Sequence, residues 1–162
     1  MLVSNTSTLV LLAKIDSLEQ FIQISPIIEI PRQVMDEALV KKESYYANLI
    51  KRLIDNKKIV VVEIDDKKLS NILREFHLDY GEAAAFAMFD SKKHKAILTD
   101  DGELIKLCKL ENIQFICAMA IIIELLEKGK LSKNQALEKL EELYRIGRYS
   151  RSIYDYFVKE VK

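Results

Sequence analysis

Lys95-Ala96-Ile97-Leu98-Thr99-Asp100-Asp101-Gly102-Glu103 reads as a short apolar strand, Ala96 to Leu98, running straight into a hydroxyl, two carboxylates and a glycine. A helix-like stretch from Glu103 to Leu110 follows. In a parallel α/β sheet, ligands bind at the carboxyl ends of strands. Two acids at such a point are badly placed for a core and well placed for a cation.

Working backwards from this turn, Asp79-Tyr80-Gly81-Glu82 opens an alanine-rich, nearly all-apolar helix ending near Lys93, which must lie deep in the protein. Before it, Asp66 to Phe76 carries Leu69, Ile72, Leu73 and Phe76 on one helical face. Lys58-Ile59-Val60-Val61-Val62-Glu63-Ile64 is β-branched and continuous, so it reads as a strand. Arg32 to Lys42 and Tyr45 to Asn56 read as helices. Pro26 and Pro31 bracket a four-residue apolar run that fits a buried strand, with the second proline at a helix start. At the beginning, Leu2-Val3 is a strand, Ser4-Asn5-Thr6-Ser7-Thr8 a polar link, and Leu9 to Lys14 a helix, with another from Asp16 to Ile24.

Forwards from the turn, Ile113 to Ile116 is the last strand. Ala118 to Lys128, Ser132 to Tyr144 and Ser152 to Val161 are all helical. Strands separated by helices predict a central parallel sheet of four to five strands with right-handed crossovers. The expectation is one α/β domain over residues 1–162, its core reaching to about 128, with a helical tail from about 131.

Length and composition agree with an ordered globular chain: 162 residues, 49% hydrophobic and 31% charged, with four glycines and two prolines. Lys+Arg and Asp+Glu both number 25, so any pull toward nucleic acid has to be local. Cys108 and Cys117 form neither a disulfide framework nor a CxxC metal site and read as small buried hydrophobes. His77 and His94 carry no role, and no histidine or cysteine pair is positioned to select zinc. The N-terminal residues lack a signal-peptide pattern and every apolar run is far too short to span a membrane, so a cytoplasmic protein is expected.

Four places offer candidate ligands: Asn5 after the first strand, Glu37 early in a helix, Glu82 at a helix start, and Asp100-Asp101. Each has a bland alternative. Asn5 could cap a helix. Asp79 and Glu82 fit a capping box, and Asp100 and Glu103 repeat the spacing. Asp36 and Glu37 could answer the helix dipole after Pro31, and they flank the apolar face of Val34, Met35, Ala38 and Leu39 on opposite sides. Helix geometry leaves the choice between those two acids open. What favours ligation is position, since Asn5 and Asp100-Asp101 directly follow apolar strands.

These blocks together resemble the PIN-domain family over nearly the whole chain. The stretches that carry the resemblance are Val3-Ser4-Asn5-Thr6-Ser7-Thr8-Leu9-Val10 with Leu12-Ala13-Lys14-Ile15, Pro31 to Glu37, Tyr80-Gly81-Glu82-Ala83-Ala84-Ala85, and Ile97-Leu98-Thr99-Asp100-Asp101. Gly147-Arg148-Tyr149-Ser150 resembles the tail of a PIN-like subgroup. The resemblance implies a three-layer α/β/α sandwich and Mg²⁺- or Mn²⁺-dependent cleavage of RNA, with many members being toxins paired with an antitoxin protein and forming homodimers. It favours Glu37 over Asp36, adds Glu82, and makes Asp101, with Asp100 beside it, part of the catalytic set. Those four and Asn5 would be the metal ligands, with Ser7 and Thr99 orienting the acids. The family's first acid is usually Asp, and here it is Asn5, although members of the similar subgroup can carry Asn there.

The chemistry is consistent with such a set. Two carboxylates about 5 Å apart repel by roughly 3 kcal/mol at an effective dielectric near 20, so three together must hold a proton or a cation. Mg²⁺ takes oxygen ligands and keeps several waters. Asn5 removes one charge, which predicts a looser site and slow turnover. Arg145, Arg148 and Arg151, interleaved with Tyr144, Tyr149, Tyr154 and Tyr156, are candidates for binding RNA phosphates and bases. Packing of the tail by those tyrosines is the competing account. The competing function is a weakened or inactive PIN-like module that binds RNA or protein. A receiver-like phosphoacceptor is set aside because its acid pair follows the first strand, whereas here the pair comes late.

Overall fold

The computed structural model describes residues 1–162. Five short strands, β1 (Leu2–Ser4), β2 (Ile28–Pro31), β3 (Ile59–Val62), β4 (Ala96–Leu98) and β5 (Phe115–Ile116), make one sheet in the order β3-β2-β1-β4-β5, and every pairing is parallel. Ten helices accompany it: α1 (Thr6–Lys14), α2 (Leu18–Ile24), α3 (Arg32–Ala38), α4 (Tyr45–Asp55), α5 (Asp66–Glu75), α6 (Tyr80–Met88), α7 (Gly102–Leu110), α8 (Ala118–Glu127), α9 (Lys133–Ile146) and α10 (Arg151–Val161).

The pleat divides the strand residues between two cores, because successive side chains point to opposite faces. Leu2, Ile28, Ile30, Ile59, Ala96 and Leu98 join the larger core with Leu9 and Leu12 of α1, Phe21 of α2 and Ile121 and Ile122 of α8. Val3 and Ile97 face the other way, onto Ala85 of α6 and Leu104 and Cys108 of α7. The result is the three-layer α/β/α sandwich expected from the sequence. Leu140, Leu143 and Val161 belong to the larger core, so α9 and α10 pack onto the sandwich. No helix is long and apolar enough to cross a membrane.

Some boundaries differ from the sequence reading, for local reasons. The first helix starts at Thr6 rather than Leu9, which draws Thr6, Ser7 and Thr8 into its first turn. The third stops at Ala38 instead of Lys42, and Ser44 caps the next helix by accepting from the Ala47 N–H (3.3 Å). Helix α6 ends at Met88 because Phe89 turns extended (φ −61, ψ 129) to bring the chain back for β4. In that turn the Asp90 N–H donates to His94 Nδ1 (3.0 Å). His94 is buried with its Nε2 2.7 Å from Glu29 Oε1, so it is a structural residue rather than a bystander.

The chain leaves β1 toward β2 and leaves β4 toward β5, in opposite directions across the sheet. A crevice at the carboxyl ends of such neighbouring strands is where this architecture binds ligands.

Candidate active site

At that switch point the Asn5 N–H donates to the Leu98 carbonyl (3.1 Å), so the ends of β1 and β4 are tied side by side. A hollow of about 360 Å³ opens over them. Asn5, Thr6, Ser7, Glu37, Asp79, Glu82, Asp100, Asp101 and Arg148 are among the residues that line it. All five expected ligands therefore arrive at one place from four separate parts of the chain.

Asn5 is 3% exposed and occupies the cap position of α1, but its side chain caps no backbone N–H. Its Oδ1 accepts from Ser7 Oγ (2.8 Å) and its Nδ2 donates to Thr99 Oγ1 (3.0 Å). Ser7 Oγ also accepts from the Asp100 N–H, and Thr99 Oγ1 from the Asp101 N–H (both 3.1 Å). Ser7 and Thr99 thus hold the backbone of the acid turn and the Asn5 amide, rather than the carboxylates. Two hydroxyls that the sequence did not single out hold those: Thr6 Oγ1 donates to Glu37 Oε2 (2.8 Å) and Thr8 Oγ1 to Asp100 Oδ2 (2.6 Å). The cue was present in the run Thr6-Ser7-Thr8, once the helix is started at Thr6.

Glu37 lies in the last turn of α3, which has no acid in its first turn, so the dipole account of Asp36 and Glu37 does not apply. Glu37 lines the hollow and Asp36 does not. Its carboxylate rests against the bare face of Gly81, where an added Cβ would come 2.1 Å from Oε1. Burial raises the Glu37 pKa and the Asp79 charge adds to this, against the lowering effect of the Thr6 hydroxyl and the Gly81 N–H.

Asp79 and Glu82 do form the expected capping box: the Glu82 N–H donates to Asp79 Oδ1 (2.8 Å) and the Asp79 N–H to Glu82 Oε2 (3.1 Å). Capping and facing the hollow are compatible here. Burial pushes the Glu82 carboxyl up to about 8, opposed by the Asp79 N–H and reinforced by Asp101 and Asp79. Asp79, read from sequence only as a cap, is thus also a source of negative charge in the hollow.

The two adjacent acids after β4 differ. Asp101 caps α7, its Oδ1 accepting from the Leu104 N–H (2.8 Å), so the cap is Asp101 and not Asp100. Asp100 is committed to other contacts. It accepts from Thr8, from the Ala118 N–H at the start of α8 (3.0 and 3.1 Å to its two oxygens) and from the Tyr149 hydroxyl. Burial raises its pKa and those three donors oppose the rise. Burial and then the Asp100 charge hold Tyr149 well above the ordinary phenol value, so it stays a donor. Gly147 makes room for this contact, since a Cβ there would meet the Tyr149 ring at 2.5 Å.

Of the three arginines, Arg148 lines the hollow, whereas Arg145 and Arg151 do not. Arg151 bonds Asp155 (3.1 Å) and sits 5.9 and 5.5 Å from the ring centres of Tyr144 and Tyr154, which stack at 4.5 Å. Nearness along the chain did not put these groups on one face.

No three acid, histidine or cysteine side chains are grouped so as to hold a metal ion. The donors are nevertheless all oxygen, and Glu82 keeps a proton beside Asp101 to about pH 8. Crowded carboxylates of this kind favour a proton or a hard cation.

The molecule is a doubly wound parallel α/β/α sandwich with several acids lining one hollow at the switch point. The family model DUF3368, a PIN domain, matches residues 1–162, and the chain belongs to the PIN-domain family. PIN domains are generally nucleases and typically use divalent metals. Among curated proteins and among solved structures no significant match was found.

Proposed function

We propose that the chain is an endoribonuclease that hydrolyses RNA phosphodiester bonds with Mg²⁺ or Mn²⁺. The observation that carries this reading is the meeting of Glu37, Glu82 and Asp101 around one hollow at the carboxyl ends of β1 and β4. Those three acids line the hollow without forming a ready-made ligand set. They would hold the cation by closing on it, with the Asn5 amide oxygen beside them, and the cation would supply an activated water and offset phosphate charge.

The chain's own groups set the rest. Thr6 and the Leu104 N–H fix the Glu37 and Asp101 carboxylates. Glu82, whose carboxyl is pushed up to about 8 by burial, would give up its proton to ligate a cation held there. Arg148 faces the same space and is suited to a bidentate grip on a phosphate. Asp100, held by Thr8, Ala118 and Tyr149, anchors the turn that presents Asp101.

The test is incubation of purified protein with structured and unstructured RNAs, with Mg²⁺ or Mn²⁺ against EDTA. Cleavage that needs the metal and disappears in Asp101→Ala supports the reading; a folded preparation inert with both metals sinks it. If the chain is the toxin of a toxin–antitoxin pair, its expression arrests growth and Asp101→Ala does not. The second reading, an RNA-binding module without catalysis, is favoured by Asn5, whose amide adds no charge and is hydrogen-bonded at both ends. RNA binding in the absence of any cleavage would select it.

A further inference from the structure

A second hollow, of about 830 Å³, opens beside the first, between α7, β5 and α10; the two share Asp100, Asp101 and Arg148. Its lining has a different character. Phe115 of the edge strand and Ile153 and Tyr156 of α10 supply apolar and aromatic surface, and Lys109 and Arg148 bring cations that no acid pairs. Lys106 is paired with Glu103 (3.4 Å), and the other acids, Asp100 and Asp101, lie at the end shared with the first hollow. Of its aromatic groups Tyr149 serves the acid site, through its bond to Asp100, whereas Phe115 and Tyr156 have no hydrogen bond there.

Ile153 and Tyr156 are 45% and 58% exposed, one helical turn apart on α10. The opposite side of that helix, through Tyr154, Val158 and Val161, packs into the larger core. The exposure of Ile153 and Tyr156 is therefore not a failure of the helix to dock. The Lys109 ammonium lies 5.9 Å from the centre of the Phe115 ring, so a cation and an aromatic face are presented together.

Rings interleaved with cations are what an unpaired polynucleotide requires, since its bases offer π-faces and its backbone offers phosphates. A duplex keeps those faces stacked inside and presents phosphates, 2′-hydroxyls and base edges instead. The chain carries 25 basic and 25 acidic residues, so attraction for a polyanion must come from such a local surface. A strand with one phosphate at the acids would pass Arg148 and enter this groove directly. The geometry points to the α7–β5–α10 groove as a subsite that stacks unpaired nucleotides of the RNA flanking the bond presented to the acids. The location of that bond rests on the ribonuclease reading; the stacking itself does not.

The experiment is an anisotropy titration of a labelled single-stranded RNA, and of the same strand annealed into a duplex, in EDTA so that binding is read without cleavage. Wild type is compared with Tyr156→Ala and Lys109→Ala, both surface changes, with circular dichroism to verify the fold. Tyr156→Ala is expected to weaken single-strand binding roughly 5- to 150-fold and to leave duplex binding unchanged. Lys109→Ala is expected to lower affinity and flatten its salt dependence. Equal affinity of Tyr156→Ala and wild type for the single strand overturns the proposal, as do equal losses for strand and duplex, or no binding by wild type. A wild-type dimer that Tyr156→Ala converts to monomer also overturns it, by giving the groove to a second copy of the chain. Metal-dependent cleavage surviving any of those results leaves the nuclease reading intact, whereas groove binding as expected with no cleavage sinks the nuclease reading alone.

Discussion

Glu82 and Asp101 come from the starts of different helices, and their carboxyls meet at the rim of the sheet; burial, followed by Asp101 and Asp79, holds Glu82 protonated up to about 8. In the unfolded chain the same group ionises near 4.5. Between those values the folded protein binds the extra proton, so its stability falls as pH rises through that window. Glu82→Gln removes the titration. Thermal melts of the variant are expected to vary less with pH than wild type, with the two closest near pH 4.5 and the variant the more stable above pH 8. A cation bound among these acids would replace the proton, so Mg²⁺ is expected to raise the wild-type Tm more above pH 8 than near pH 6. Wild-type melts that do not change across this window would contradict the arrangement.

Gly81 and Glu37 provide a way to separate site from scaffold. A methyl group at position 81 would collide with the end of the Glu37 side chain, 2.1 Å from Oε1, and a flexible side chain can swing clear. Alanine also suits the first turn of a helix better than glycine does, by up to about 1 kcal/mol. Gly81→Ala is therefore expected to melt at or slightly above the wild-type temperature. It is also expected to lose at least about tenfold in cleavage, a little over 1 kcal/mol, because Glu37 no longer faces the hollow. Retained activity would place Glu37 outside the chemistry.

The two neighbouring acids should separate just as clearly. Asp100→Ala leaves the Thr8 and Tyr149 hydroxyls and the Ala118 N–H without their acceptor. An unpaired buried donor costs about 1–3 kcal/mol, so a loss of at least ~2 kcal/mol is expected in urea denaturation. Asp101→Ala loses one helix cap, about 1 kcal/mol, and relieves the crowding on Glu82. It should fold nearly as well as wild type and cleave nothing. The reverse pattern would make Asp100 the working acid and Asp101 the anchor.

The parts of this molecule that were readable in sequence are those whose cause is local. Each strand is an apolar run, and Asn5 and Asp100-Asp101 stand directly after two of them, so their meeting at the switch point follows from parallel topology. Choosing Glu37 over Asp36 was beyond helix geometry, since the two flank the same apolar face; the approach of Gly81 from α6 settles which one faces the hollow. A helix drawn to near Lys93 overruns the end of α6, because the apolar run continues through Phe89 and nothing in the pattern marks the extended turn there that leads back into β4. Tyr149 could not be paired with Asp100 from spacing, for 49 residues separate them and the contact exists only because α9 packs on the core. Arg145 and Arg151 show the converse, being close to Arg148 in sequence and outside the hollow it lines.

Asn5→Asp tests what the amide does. The Ser7 hydroxyl can keep donating to the new carboxylate, and Thr99 can turn its own proton toward it while still accepting from the Asp101 N–H, since a hydroxyl both donates and accepts. Hydrogen bonding therefore does not oppose the change, and charge does. The position is 3% exposed and lines a hollow whose acids already retain a proton on Glu82, so a further carboxylate adds repulsion, roughly 3 kcal/mol for a pair about 5 Å apart at an effective dielectric near 20. In EDTA the variant is expected to melt below wild type. With Mn²⁺ or Mg²⁺ it should recover more than wild type gains, and reach half-maximal cleavage at a metal concentration about tenfold lower, equivalent to ~1.4 kcal/mol. Identical metal dependence in the two proteins would show that the side chain at position 5 stands out of the cation's reach, leaving Glu37, Glu82 and Asp101 to hold it.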